Sequence, residues 1–325
     1  ITMTALSLGV AGIVGLAGFR EAIYGVMIRD ITRGLLGDFQ VHARGYQETQ
    51  AIDSVVRQPE LVEAALAKSV PGAIAERRVM GAGLAGVRDQ SAPVMVIGVG
   101  ATTSGHALQT VTRGKDLSAE PAHEALIGQD LAQELSVSLG DELIVVGQAA
   151  DGSVANDKFT IVGTFRSPSA ELDAAAVLLH LKDAQAFFGL GDGVHQLVVR
   201  LPEHEEEATR PLTAAKSALD LATLEALSWG ELLPELKASI ASKRRSQSTM
   251  SFIVLLIVAL GVFNAMTMST FERTHEFGVL AALGTPPRRI LGLVLTEALL
   301  LGALAFAIGM VLGGPLADLG VRACA

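Results

Sequence analysis

The chain has 325 residues, a formal net charge of −9, one cysteine and half of its residues apolar, with only 18% charged. Mean hydropathy is +0.44, too apolar for an ordinary soluble protein and too polar for a chain made only of membrane helices. The acidic balance argues against nucleic acid, which needs clustered Lys and Arg, and a single thiol, Cys324, builds neither a disulfide framework nor a zinc site.

The first element is an apolar run, 1–19 (Ile1 to Phe19), rich in Leu, Val, Ile, Ala and Gly. It starts without Met or a basic stretch, and Phe19-Arg20-Glu21 is a poor signal-peptidase site. It therefore reads as a transmembrane helix shortened at its N-terminus rather than a signal peptide. Helical spacing of Ile23, Met27, Ile31 and Leu35 then predicts that the helix continues as a stalk over 20–36.

A large polar domain follows over 37–229, long enough to bury a core of its own. Asp38 to Ala43 alternates as a strand, and Pro59 to Val70 reads as a helix that stops at the breaker pair Pro71-Gly72. Val94 to Val99 has the length and β-branching of a buried strand. Leu126-Ile127 closes a strand, Gly128 turns, Gln129 to Leu135 is a short helix, and Leu143 to Val146 is the next strand. Phe159 to Phe165, Val177 to Leu179 and Gln196 to Arg200 are further strands, and Pro211 to Leu219 is helical. Interleaved strands and helices make the domain mixed α+β or α/β. The run Glu203-His204-Glu205-Glu206-Glu207 is a solvated acidic turn, since adjacent residues do not converge on one ion.

Glu231 to Phe271 reads as one long helix with Pro234 in its first turn. Its first part is a second stalk, 230–249, where Lys243-Arg244-Arg245 marks the headgroup level, and its second part is a span, 250–271. Another apolar run, 290–312, is broken only by Thr296 and Glu297. Each run has about 20 residues, enough to cross a hydrocarbon core of roughly 30 Å. The charged amphipathic segment between them, 272–289, must lie at the membrane surface, where a soluble partner can touch it. Residues 313–325 are expected to form a loop.

No residue pattern predicts covalent chemistry. Gly114-Lys115-Asp116 lacks Walker-A spacing, and Val279 stands where a zinc-protease pattern starting at His275-Glu276 needs its second His. Glu297 is the exception to an otherwise apolar span. A carboxylate there either meets protein or water or snorkels to the headgroups. Asn264 and the hydroxyls of Thr267, Ser269 and Thr270 on the preceding span are its expected partners.

These residues resemble a known family, the MacB/FtsX-type ABC transporter permeases, which include the LolC and LolE lipoprotein-release subunits. Asn264-Ala265-Met266, Glu272-Arg273-Thr274-His275-Glu276-Phe277-Gly278 through Gly284, and Thr296-Glu297-Ala298 are similar to its second-span Asn, its E-R-x-x-E-[IF]-G-x-L-x-A-L-G coupling helix and its third-span E-A pair. Ile127-Gly128-Gln129-Asp130-Leu131-Ala132, Leu139-Gly140-Asp141 and Phe159 to Gly163 add to the match, and Trp229 before the stalk is similar to the lipoprotein-release branch.

The resemblance implies a multi-pass α-helical membrane protein of a four-span family, with three spans in this chain. It also implies an extracytoplasmic α+β domain between the first two spans and a bacterial inner-membrane location. Implied partners are a cytoplasmic ABC ATPase carrying ATP and Mg, a second permease copy or paralogue, membrane lipid and a hydrophobic cargo, with a periplasmic protein as a further candidate. No catalytic, cofactor or metal residue is expected on this chain. ATPase coupling falls to Glu272, Arg273, Glu276, Phe277, Gly278, Leu280 and Gly284, and an intramembrane polar contact to Asn264 and Glu297. The implied function is ATP-driven mechanotransmission that extracts or exports lipoprotein, lipid or amphiphilic drug. The alternative is an FtsX-like regulator of a periplasmic cell-wall hydrolase.

Overall fold

Short apolar runs repeatedly cut by Gly, Pro and Asp turns fold as strands alternating with short helices. The computed structural model describes residues 36–100, 110–202 and 208–324. The expected first span, nearly all of the first stalk and the acidic run at 203–207 lie outside the described residues. The chain divides into two compact units, Ile28–Pro234 and one that contains Glu235–Ala325.

The first unit carries ten strands. They are β1 (Phe39–Ala43), β2 (Ile74–Val87), β3 (Gln90–Val99), β4 (Thr110–Gly114) and β5 (Glu124–Gly128). The remainder are β6 (Glu142–Gln148), β7 (Val154–Arg166), β8 (Ala176–His180), β9 (Gln196–Arg200) and β10 (Leu224–Ser228). Between them lie helices α1 (Tyr46–Thr49), α2 (Pro59–Ser69), α3 (Gln129–Glu134), α4 (Ala170–Ala175), α5 (Leu181–Phe188), α6 (Thr209–Ala218) and α7 (Trp229–Leu232).

The strand order is β10-β1-β9-β2-β3-β8-β5-β7-β4, and β6 pairs with both β2 and β7. Strands β2, β3, β8, β5, β7 and β6 therefore form a closed circuit, which removes the edges an open sheet would leave exposed. From β2, the circuit continues into β9, β1 and β10, all antiparallel.

Period-2 geometry explains why the central stretches of β3, β5 and β8 are apolar on both faces. Val94 and Val96, Ile127, Val177 and Leu179 face one core. Ile97 and Val99, Leu126, Ala176 and Leu178 face a second, around Phe165. Strands buried on both faces lose the polar alternation that one-sided strands keep. Two glycines make close packing possible here: a Cβ on Gly98 would stand 2.4 Å from the Cβ of Ala184, and one on Gly81 would stand 2.4 Å from Phe188.

The second unit contains α8 (Pro234–Glu272), α9 (Thr274–Ala282) and α10 (Pro287–Cys324). Two sequence expectations need correction here. The helix expected from Glu231 is broken at Leu233, whose φ of −124° and ψ of 68° are non-helical. Proline disfavours the α conformation in the residue before it, so α7 ends and α8 begins at Pro234. The loop expected at 313–325 is helical as far as Cys324, because Leu312, Leu316 and Leu319 continue the helical spacing across Pro315. Among the described residues, α8 is the helix that meets the length and composition needed to cross a membrane. Phe252, Leu255, Ile257 and Phe263 on α8, and Leu293, Leu299 and Leu304 on α10, are exposed. That density of bare apolar side chains is foreign to a water-facing surface.

Candidate functional site

The segment 272–289 contains the last residue of α8, a junction at Arg273, the nine-residue α9, a turn and the start of α10. Arg273 leaves helical geometry with φ −97° and ψ 12°, which separates α9 from the long helix before it. At the other end, Gly284 adopts φ +88°. Its N–H donates to Ala281 O at 3.0 Å, and Thr285 N–H donates to Leu280 O at 3.1 Å. This pair of bonds is a Schellman cap, which requires a left-handed residue and explains a glycine at that position.

Helix α9 has no buried residue. Leu283 is 78% exposed and Phe271 72% exposed, with Val279 and Leu280 also bare. Gly278 adds an open spot, since a Cβ there meets nothing within 4 Å. A helix this short gains little from propensity alone and is normally stabilised by packing an apolar face. Here the chain itself supplies no cover among the described residues, so the apolar side of α9 is available to another protein.

The charged residues converge at the α9 N-terminus. Arg273 Nε donates to Glu276 Oε2 at 3.0 Å, and Nη1 donates to Glu297 Oε2 at 2.9 Å and Oε1 at 3.2 Å. The same guanidinium lies 5.6 Å from the centroid of the Phe277 ring, within cation–π range. The hydrogen bond to Glu276, followed by the charge of Glu297, holds the Arg273 guanidinium above its ordinary range.

Two of the expected partners of Glu297 are engaged within their own helix, and Glu297 meets Arg273 instead. Thr267 and Thr270 hydroxyls donate to Phe263 O and Met266 O of their own helix, each at 2.7 Å, and Asn264 is exposed. An arginine satisfies a lone carboxylate better than neutral groups do, because it supplies two charge-assisted donors. The structure thus unites Arg273, Glu276, Phe277 and Glu297. Glu272 is exposed at the end of α8, and Gly284 serves the cap. Sequence reasoning missed the Arg273–Glu297 pair, since a separation of 24 residues across a turn carries no periodic signal. A groove of about 480 Å³ between α8 and α10, lined by Ala259, Phe263, Met266, Thr270, Val294 and Leu295 among others, was equally unforeseen.

Comparison with known proteins places these features. The MacB-like periplasmic core domain matches residues 1–214, and the FtsX-like permease C-terminal domain matches residues 248–319. An uncharacterised ABC transporter permease of Methanocaldococcus jannaschii is 26% identical over 214 residues, covering 64% of this chain and 51% of the relative. The lipoprotein-releasing system transmembrane protein LolC of Xylella fastidiosa is 24% identical over 202 residues, covering 59% of this chain and 47% of the relative. The pyoverdine export ATP-binding/permease protein PvdT of Pseudomonas syringae is 30% identical over 205 residues, covering 58% and 29%. The chain thus spans about half the length, or less, of these relatives. The periplasmic region of MacB from Actinobacillus actinomycetemcomitans aligns with a TM-score of 0.45 at 11% identity, covering 66% of this chain and 98% of that one. With the two domain matches together spanning nearly its whole length, the chain belongs to the MacB/FtsX-type family of ABC transporter permeases.

Proposed function

We propose that this chain is the permease subunit of an ATP-driven mechanotransmission transporter in a bacterial inner membrane. In this reading it crosses the membrane several times, with its strand-rich unit on the outer side. Helix α9 docks on a cytoplasmic ABC ATPase, which binds ATP and Mg and carries out the hydrolysis, and a second permease completes the complex. Closure of the ATPases displaces α9, and the long helix α8 relays that motion to the outer unit. There a hydrophobic cargo, such as lipoprotein, lipid or amphiphilic drug, is extracted or expelled.

The observation that carries this reading is that no residue of α9 is buried, with Val279, Leu280 and the C-cap residue Leu283 exposed between two long apolar helices. An apolar patch rimmed by Glu272, Arg273 and Glu276 has the composition of a protein-docking surface. Gly278→Trp tests it, because the added indole has free space in the isolated chain but would stand in the docking face. Membrane insertion should be unchanged, and substrate-stimulated ATPase activity of the assembled complex should fall by about tenfold or more. Full stimulation would refute the docking assignment. Stimulation by lipoprotein or drug supports transport, whereas copurification with a cell-wall hydrolase supports the regulatory role instead.

A further inference from the structure

Arg273 serves two carboxylates on different elements. Glu276 belongs to α9 and its side chain is 63% exposed, whereas Glu297 lies on α10 and is 42% exposed. One guanidinium between two carboxylates leaves the group with a net charge of −1, so it is one cation short of neutrality. The division of donors is unequal: Glu297 receives two bonds from Nη1, and Glu276 one from Nε. The Glu276 pair is the one that solvent and an incoming group can reach, while a carboxylate within an apolar helix has no cheap alternative to its partner. Glu276 is therefore the carboxylate that an incoming group can take over.

We infer that Arg273 is a relay residue: a basic side chain of the docking partner engages Glu276, and the released guanidinium settles on Glu297. The partner's contact chemistry is then specific. It presents a Lys or Arg at the edge of an apolar pocket, the cation meeting Glu276 and the pocket receiving Leu280 and Leu283, which lie beyond Phe277 along the same segment. Occupancy of the docking face is in this way registered on α10. Arg273 acts through Glu297 as a positioning residue. The inference rests on the reading of α9 as the ATPase-docking helix.

The test uses the full chain assembled with its ATPase in lipid nanodiscs, with two readouts, ATPase co-purification and permease-dependent ATPase stimulation. Glu276→Gln should weaken co-purification by about tenfold, more so at low salt than at high salt. Glu297→Gln should leave co-purification within about twofold yet cut stimulation by about fivefold or more, and the swap Arg273→Glu with Glu297→Arg, which rebuilds the pair but sets two carboxylates together at positions 273 and 276, should not recover it. A purely structural pair would recover coupling on the swap. Wild-type stimulation in Glu297→Gln, or a swap that restores at least about half of the wild-type stimulation, overturns the relay. If the swapped protein fails to insert, the two readouts of Glu297→Gln decide: stimulation lost with co-purification kept supports the relay, and a parallel loss of both, or a loss of neither, overturns it. Failure of the docking reading looks different, because then Leu283→Asp would leave co-purification intact.

Discussion

His42 on β1 has no exposed surface, yet one of its ring nitrogens has no partner. Its Nε2 lies 2.8 Å from Gln40 Oε1, while Nδ1 is unpaired, as is Oε1 of Glu225, the residue opposite it on β10. Gln196 on β9 is its other cross-strand neighbour, and the Tyr46 ring stands between the rings of His42 and His195 at 5.4 and 5.3 Å. Burial lowers the His42 pKa from 6.5 to about 4. An unfolded chain therefore binds more protons than the folded one between these values, and stability must fall as pH drops through this window. From pH 7.5 to 5 the loss from this residue alone is about 2 kcal/mol. His42→Gln should remove that share of the acid sensitivity, measured as the difference in Tm between the two pH values. Equal pH dependence in both proteins would show that His42 does not titrate against the fold.

Among the elements, legibility followed the local signal. Strands β5, β6, β7 and β9 and helices α2 and α3 were readable because their apolar residues sit between strong Gly, Pro and Asp turns. Strand β2 was not, since the Gly- and Ala-rich stretch Met80 to Gly86 has weak strand propensity and pairs only because β3 and β6 flank it. Strand β10 was missed for a similar reason, since pairing with β1 selects it; helix α5 was missed although Leu181, Ala184, Phe187 and Phe188 line one face and Gly189 caps its end in the left-handed region. Glycine shows this dependence directly. Gly98 is unremarkable in sequence, but in the fold it is where β3 meets α5, and a methyl there would collide with Ala184 and crowd Val79 at 3.2 Å. Gly98→Ala should destabilise the strand-rich unit by about 1–3 kcal/mol in denaturant unfolding. A neutral result would mean that α5 lifts away without cost.

For the molecule as a whole, the division into two units follows from composition. The strand-rich unit has two cores of its own and a closed strand circuit, so a fragment of residues 36–234 should be soluble and unfold in one cooperative transition. Aggregation in every condition, or a circular dichroism spectrum of helix alone, would contradict this. The helical unit lacks such a core among its described residues and is stable only where its bare Leu, Ile and Phe side chains are covered. Those long apolar runs and the coupling motif were legible because both are contiguous in sequence. The ion pair that ties the motif to α10 was not, because only the fold brings Arg273 and Glu297 together.

The central claim, that α9 is the surface on which an ATPase docks, is tested most directly by site-specific crosslinking. With Cys324 replaced by Ala, Leu283→Cys at the C-cap of α9 and Val154→Cys on β7 are equally bare positions, 78% and 77% exposed in the native residues. Each carries a photoreactive maleimide in the complex assembled with the ATPase. The account predicts a covalent permease–ATPase adduct from position 283 and none from position 154. An assembled complex that gives no adduct from position 283, or gives one from position 154 instead, would contradict it.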